Sequence, residues 1–425
     1  MSRQHRPLLS GQHRPLLSGQ HRQAPSPGLF RRGRIVRWLL ATVFAGLAVG
    51  SWWLVASADS PSKPAARSTG TASPSPSGAA TASWATPKSM TYSIGSVKLT
   101  ATGPGRLVAG SDPRDLPRPL LIADEQNNRL LIIDPNGRTM WEFPRPGDLA
   151  VGQAFKTPDD AYFTPNGKQI IATQGDDNVI SVIDVATRKI VHTYGKSGVA
   201  GSGLNRLNGP DDAMMLPNGD IVASDIKNCR IIMIPMGAHA VSRQLGRTGT
   251  CAHKPPQTLG SPSGAFPMNN GNYLVSEING GWITEMSLSG RVAWSVKLPS
   301  VAYIADPNEI SKDRYLTVDY SNPGQVVTFD HTGRVLWRYA PTGEMALKIP
   351  SQAMPLLNGN YMVCDRGNHR LIIVDPHSKA VLWQYGQTGV AGKGLGQLNF
   401  PTGMDFLPPD SLLGKHGATM GKIPR

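Results

Sequence analysis

The sequence predicts an all-β fold: a six-bladed β-propeller preceded by an N-terminal transmembrane helix and a disordered linker. Three observations predict it. A Pro-Asn-Gly-type turn recurs at regular spacing, each unit carries four short strand patterns, and a C-terminal strand pattern supplies what the first unit lacks. The turn glycines are Gly167, Gly219, Gly271 and Gly359. The first two intervals are 52 residues and the third is 88, room for two units of about 44, and four short strands per 40–50 residues is a propeller-blade pattern. A chain of 425 residues with 46 Gly and 36 Pro suits a turn-dense β protein.

The chain opens on a basic tail, residues 1–34, expected to be disordered and cytoplasmic. The octapeptide QHRPLLSG stands at Gln4–Gly11 and again at Gln12–Gly19. Eight Arg in the first 37 residues account for more than half of the formal net charge of +14 and leave +6 for the rest. The basic character belongs to a tail rather than to a groove, so no nucleic-acid partner is expected.

Residues 35–58 are expected to form the membrane helix. Trp38–Ala58 contains no charged residue and is long enough to span a hydrocarbon core of about 30 Å. Arg31, Arg32, Arg34 and Arg37 before it place the N-terminus in the cytoplasm and the remainder outside. The A-x-A sequence Ala56-Ser57-Ala58 leaves a cleaved signal peptide as the alternative. Residues 59–90, rich in Ser, Pro, Thr and Ala, read as an extended linker, with too few apolar side chains to build a core.

Residues 91–425 hold the propeller. In each unit a first strand begins near a proline, as in PDDAYF at Pro158 and PDDAMM at Pro210. The second strand ends on an acid: Asp225, Glu277, Asp319 or Asp365. Third strands such as RLLIID and RLIIVD are apolar on both faces, as sheets packed between two neighbours require. Trp141, Trp294, Trp337 and Trp383 occupy equivalent fourth-strand positions, where they fill the gap between blades. The first unit, Arg118–Pro144, lacks a first strand, and a strand over 398–407 supplies it and closes the ring.

The segments GVAGSGLNRLNGPDDAMMLPNGDIVASDIKNCRIIMI and NGNYMVCDRGNHRLIIVD resemble NHL repeats, through the G-x-G before a Pro-led strand and the N-x-R before an apolar run. The resemblance is clearest in blades 1, 3 and 6. In blades 4 and 5, G-R-x-x-W endings resemble PQQ-type or arylsulfotransferase-type repeats. It implies a fold and leaves function open.

First strands and the loops between second and third strands are expected to share one face of the ring. That face would collect Asp159, Asp160, Asp211, Asp212, Asp225, Glu277, Asn279, Asn308, Glu309, Asp319 and Asp365. Oxygen ligands around a channel suit Ca2+ or Mg2+, with Asp160, Asp212, Asp225, Glu277, Glu309 and Asp365 as candidate ligands. Gluconolactonase-like propellers use a comparable Glu/Asn/Asp set, although the motifs around those residues do not match here. The competing role for such acids is to cap loops and pair with Arg129, Arg230 and Arg370.

His192, His253, His331 and His369 show no metal-ligand spacing, no G-x-S-x-G is present, and the sequence places no Ser/His/Asp set together. Cys229 begins a third strand and Cys251 lies in the loop after the same blade's fourth strand. A Cys229–Cys251 disulfide is expected, with Cys364 a buried free thiol. Function is expected to be non-catalytic binding of a protein, peptide or polysaccharide at the loop face of a membrane-anchored extracellular propeller. The alternative is a divalent-metal-dependent hydrolase, lactonase or lyase at the channel mouth.

Overall fold

The computed structural model describes residues 89–94 and 96–408. The expected tail and membrane helix lie outside the described residues, as does all of the linker but its last two positions. No described helix is long and apolar enough to cross a membrane.

Six antiparallel sheets of four strands each form the propeller. Blade 1 takes its inner strand from Pro401–Phe406 and its other three from Leu120–Asp124, Arg129–Ile133 and Thr139–Phe143. The inner strands of blades 2 to 6 are Pro158–Phe163, Pro210–Met215, Pro262–Pro267, Ile304–Ser311 and Gln352–Pro355. Each of these blades continues outward in chain order. All six inner strands touch their neighbours, so the ring is closed. The seam lies inside blade 1, where Pro401 pairs with Asp124 and Phe406 with Leu120.

The packing follows from the strand chemistry. The third strands Arg129–Ile133, Arg230–Ile234 and Arg370–Val374 are buried along their whole length, because a sheet sandwiched between two blades has two dry faces. Indole N–H groups tie neighbouring blades: Trp141 Nε1 donates to Val185 O at 3.0 Å, Trp337 Nε1 to Pro376 O at 2.8 Å, and Trp383 Nε1 to Pro135 O at 3.1 Å. The last of these joins blade 6 to blade 1. Trp294 packs against Tyr315 of the next blade, with ring centroids 5.2 Å apart.

Two features were not foreseen. A separate hairpin, Ser89–Ile94 with Val97–Thr102, packs Ile94, Leu99 and Ala101 into the core of blades 1 and 2. The following segment runs along the outer strand of blade 6, where Val108 N donates to Gln384 O and Asp112 N to Leu382 O. The N-terminal part of the domain thereby covers an outer edge that would otherwise be open to pairing.

Candidate cation site on the propeller axis

A register irregularity recurs in five of the six inner strands. In blades 2 and 3 one extra residue sits between Pro158 and Ala161, and between Pro210 and Ala213, opposite the second strand. The same irregularity interrupts Pro262/Gly264, Ala305/Asn308 and Pro401/Met404. A bulge of this kind re-aims side chains that a regular strand would send to alternate faces. It carries the Asp-Asp pairs of blades 2 and 3 to the axis.

Carboxylate oxygens of Asp160, Asp212 and Asp306, from blades 2, 3 and 5, lie within 4.8 Å of one another. A second group, Asp159, Asp160 and Asp211, meets the same condition and shares Asp160. Ligands on opposite sides of a Ca2+ ion, each at about 2.4 Å, are themselves about 4.8 Å apart, so each group can share one ion. Asp160, Asp212 and Asp306 are 6%, 2% and 4% exposed, whereas Asp159 and Asp211 are less buried. The acids therefore form a deep tier and a shallower one.

The deep tier is held by its surroundings but not satisfied by them. Backbone N–H groups of Asp160 and Asp212 donate to Thr173 Oγ1 at 3.0 Å and Ser224 Oγ at 2.9 Å. Tyr162 donates its hydroxyl to Asp212 Oδ1 at 2.5 Å, and Gln352 Nε2 reaches the Tyr162 oxygen at 3.3 Å. Asp160 Oδ1 and Asp212 Oδ2 accept no hydrogen bond from any described residue. Two bare, buried oxygens on carboxylates of one cluster are costly without a cation or a proton. Gly403 and Gly264 make room for them: a Cβ at Gly403 would fall on Asp160 Oδ1, and one at Gly264 on Asp212 Oδ2.

Electrostatics agree with that arrangement. Burial, and then the neighbouring carboxylates, push the carboxyls of Asp159, Asp160, Asp212 and Asp306 well above the usual range. Asp211 is pushed up to about 7 by burial first and Asp160 second. A divalent cation would reverse this order by favouring the ionised forms. Towards the surface, Arg366 pairs with Glu125 at 2.5 Å and lies 4.8 Å from the centroid of the Phe400 ring. Tyr303 and Tyr320 stand together beside them, their rings 5.2 Å apart.

Of the six candidate ligands, only Asp160 and Asp212 reach the axis. Asp225 and Asp365 end second strands, one strand outward, and are neutralised where they stand. Arg230 Nε meets Asp225 at 2.8 Å, Arg370 Nε meets Asp365 at 2.8 Å, and Asn228 and Asn368 add a bond at 2.8 Å to each. Arg129 and Asp124 repeat the pair at 2.7 Å in blade 1. Glu277 accepts from Gly260 N and faces His253. Glu309 lies at the far end of its strand, where it accepts from Asn269 N at 2.8 Å. Asp319 is occupied by Tyr303 N, Ser321 and Gln325, while Asn308 and Asn279 donate to backbone oxygens.

The axial acid missed was Asp306. Its signal was positional: Ile304 pairs with Asp319 as Pro210 pairs with Asp225, which puts Asp306 level with Asp212. Among the histidines, His331 pairs with exposed Asp313, and His369 accepts from Phe400 N and packs edge-on against the Phe400 ring. His192 lines a separate cavity of about 580 Å3 between blades 2 and 3, beside Met215 and Met236 at the opposite face. Cys229 and Cys251 are joined, with Cα atoms 5.1 Å apart, and Cys364 is a buried free thiol.

Comparison with known proteins gives the class and no more. Residues 238–399 match the family described as outer membrane protein assembly factor BamB, of the PQQ_2 type. No curated protein matches the chain. Among solved structures, a protein of unknown function from Bacteroides caccae is 19% identical with a TM-score of 0.46, covering 68% of this chain and 98% of its own. A streptogramin B lyase is 14% identical with a TM-score of 0.47, covering 74% of this chain and 91% of its own. Hydrazine synthase from Kuenenia stuttgartiensis is 14% identical with a TM-score of 0.44, covering 65% of this chain and 77% of its own. The chain is a six-bladed propeller with a BamB-like region.

Proposed function

We propose that the propeller binds a hard divalent cation, Ca2+ or Mg2+, at Asp160, Asp212 and Asp306. The cation would hold an oxygen-rich ligand, a carboxylate- or hydroxyl-bearing peptide or polysaccharide, at the channel mouth. The observation that carries this is the clustering of the Asp160, Asp212 and Asp306 carboxylates, two of which keep a buried oxygen with no partner among the described residues. Hard cations prefer carboxylate and carbonyl oxygen, and the deep tier offers nothing else charged. Arg366 and the rings of Tyr303, Tyr320 and Phe400 give the mouth the polar anchor and flat apolar faces that ligand sites use.

Titration calorimetry of chelator-treated protein with CaCl2 and MgCl2 tests it. Stoichiometric binding is expected, and its loss in the D160N/D212N double variant. Absence of binding to the wild-type chain would overturn the reading. The same cation could serve a hydrolase, lactonase or lyase. Asp159 and Asp211, on the mouth side of Asp160, are the carboxylates placed to act on a metal-bound ligand.

The wider setting remains a proposal supported by sequence: an N-terminal membrane anchor at residues 35–58 and an extracellular propeller lifted on a linker. The NHL character of blades 1, 3 and 6 is supported by their shared Asp-Asn-Arg pairing.

A further inference from the structure

Blade 4 departs from blades 1, 3 and 6 at one place. In blades 1, 3 and 6 the acid ending the second strand pairs with an Arg opening the third. That Arg also reaches a Glu or Gln on the fourth strand: Arg129 Nη1 meets Glu142 at 3.4 Å, Arg230 Nη1 meets Gln244 at 3.1 Å, and Arg370 Nη1 meets Gln384 at 3.4 Å. Blade 4 has Trp282 where the Arg would stand and Ser295 where the Gln would stand. Its acid is Glu277, and the group bridging acid and fourth strand is the imidazole of His253.

The resulting geometry is that of a charge-relay set, which the sequence alone gave no reason to assemble. Glu277 Oε1 lies 3.0 Å from His253 Nδ1, and His253 Nε2 lies 3.2 Å from Ser295 Oγ. Burial pushes the Glu277 carboxyl up to about 7, so above neutral pH it is ionised and takes the Nδ1–H of His253, which leaves Nε2 free to accept the serine proton. Thr284 Oγ1 stands 2.7 Å from Ser295 Oγ. His253 is fixed by stacking flat on Trp282, with centroids 3.9 Å apart and planes 2° from parallel. Its loop is tethered by the Cys229–Cys251 bridge and by Asn279 Nδ2 donating to Cys251 O. Lys297 lies on the same sheet face, its ammonium 4.7 Å from the Trp282 ring centroid. His253 and Ser295 are both partly exposed, so a reagent can reach them.

We propose that Ser295, His253 and Glu277 form a nucleophilic triad able to hydrolyse small carboxylic esters, independent of the axial acid cluster. Ser295 Oγ bonds to the ester carbonyl carbon as its proton passes to His253 Nε2. The C–O bond to the leaving alcohol then breaks, and the alcohol leaves with that proton. Water repeats the sequence on the acyl-serine, releasing the acid and restoring Ser295. Glu277 is a positioning residue that holds the imidazole tautomer.

Labelling with a fluorophosphonate probe tests it, since phosphonylation forms the Oγ–P bond, breaks P–F and needs the same proton transfer. The full 425-residue chain is treated with probe and the adduct located by peptide mass spectrometry. An adduct on Ser295 is expected, absent in S295A. In H253A and E277Q labelling should be about 100-fold slower or more, the scale of a lost general base, with added imidazole partly restoring H253A. The R334A variant, altered at an exposed turn of blade 5 outside both sites, should label at the wild-type rate. No adduct on Ser295, or an undiminished adduct in H253A, would overturn the proposal.

Discussion

Tyr162, on the inner strand of blade 2, donates its hydroxyl to Asp212 on the inner strand of blade 3 at 2.5 Å. This one bond occupies Asp212 Oδ1 and leaves Oδ2 without a partner among the described residues. Tyr162→Phe removes the donor and keeps the ring. The chelator-treated variant is expected to lose about 1–3 kcal/mol, the cost of stranding a buried acceptor, measured by urea unfolding.

The axial acids should make stability depend on pH in an unusual sense. Their folded-state values are raised by burial and mutual repulsion, while unfolded aspartate titrates near about 3.9. The folded chain therefore binds more protons than the unfolded one above that pH. Their contribution is fully present below it and is lost as pH rises through the raised values. Chelator-treated protein is expected to melt at a lower temperature at pH 8 than at pH 5. Ca2+ at a hundred times its Kd should return about 2.7 kcal/mol at pH 8. A Tm that rises from pH 5 to pH 8 without cation would contradict this.

Glycine at 264 and 403 is required by close approach. Gly403→Ala would set a methyl group on Asp160 Oδ1 and against the Asp160 backbone, and Gly264→Ala one on the Phe266 ring and Asp212 Oδ2. Both variants are expected to lose calorimetric Ca2+ binding and to be destabilised by about 1–3 kcal/mol from overpacking.

The ion pairs outside the axis are expected to rank by burial. Arg370 and Asp365 are both fully buried, so Arg370→Ala strands a charge and should cost about 3–5 kcal/mol in chemical denaturation. Arg334 is 75% exposed beside Asp330, so Arg334→Ala should cost about 1 kcal/mol or less.

Alkylation without reductant should leave all three cysteines unmodified in the native protein and modify only Cys364 after denaturation. Burial pushes the Cys364 thiol far up, and it donates to Pro401 O at 3.2 Å. Modification of Cys229 without reduction would contradict the disulfide.

The blades were legible because their rules are local. A tight turn, a two-faced apolar strand and a Trp at fixed spacing repeat within about 50 residues, the unit over which a repeat protein organises itself. The seam was legible because two incomplete units complement each other. The axis was only half legible. Asp160 and Asp212 stand in identical PDDA sequences, but Asp306 stands in IADP, where nothing local matches them. Second-strand acids looked equivalent to axial ones because they share a face, and the step of one strand outward is invisible without pairing. The pairing of His253 with Ser295 depends on the path of a long loop, which no periodicity encodes.

Closure of the ring by Pro401–Phe406 has a consequence for biosynthesis. That strand pairs with Leu120–Asp124, about 280 residues earlier, so at about 5–20 residues per second the first blade waits roughly 15–60 s on the ribosome without its inner strand. Throughout that interval the edge of Leu120–Asp124 offers unpaired N–H and C=O groups to any passing strand. Ring closure is therefore an event at the end of synthesis, and a chain stalled before residue 401 would leave the ribosome as an open ribbon with a vacant edge.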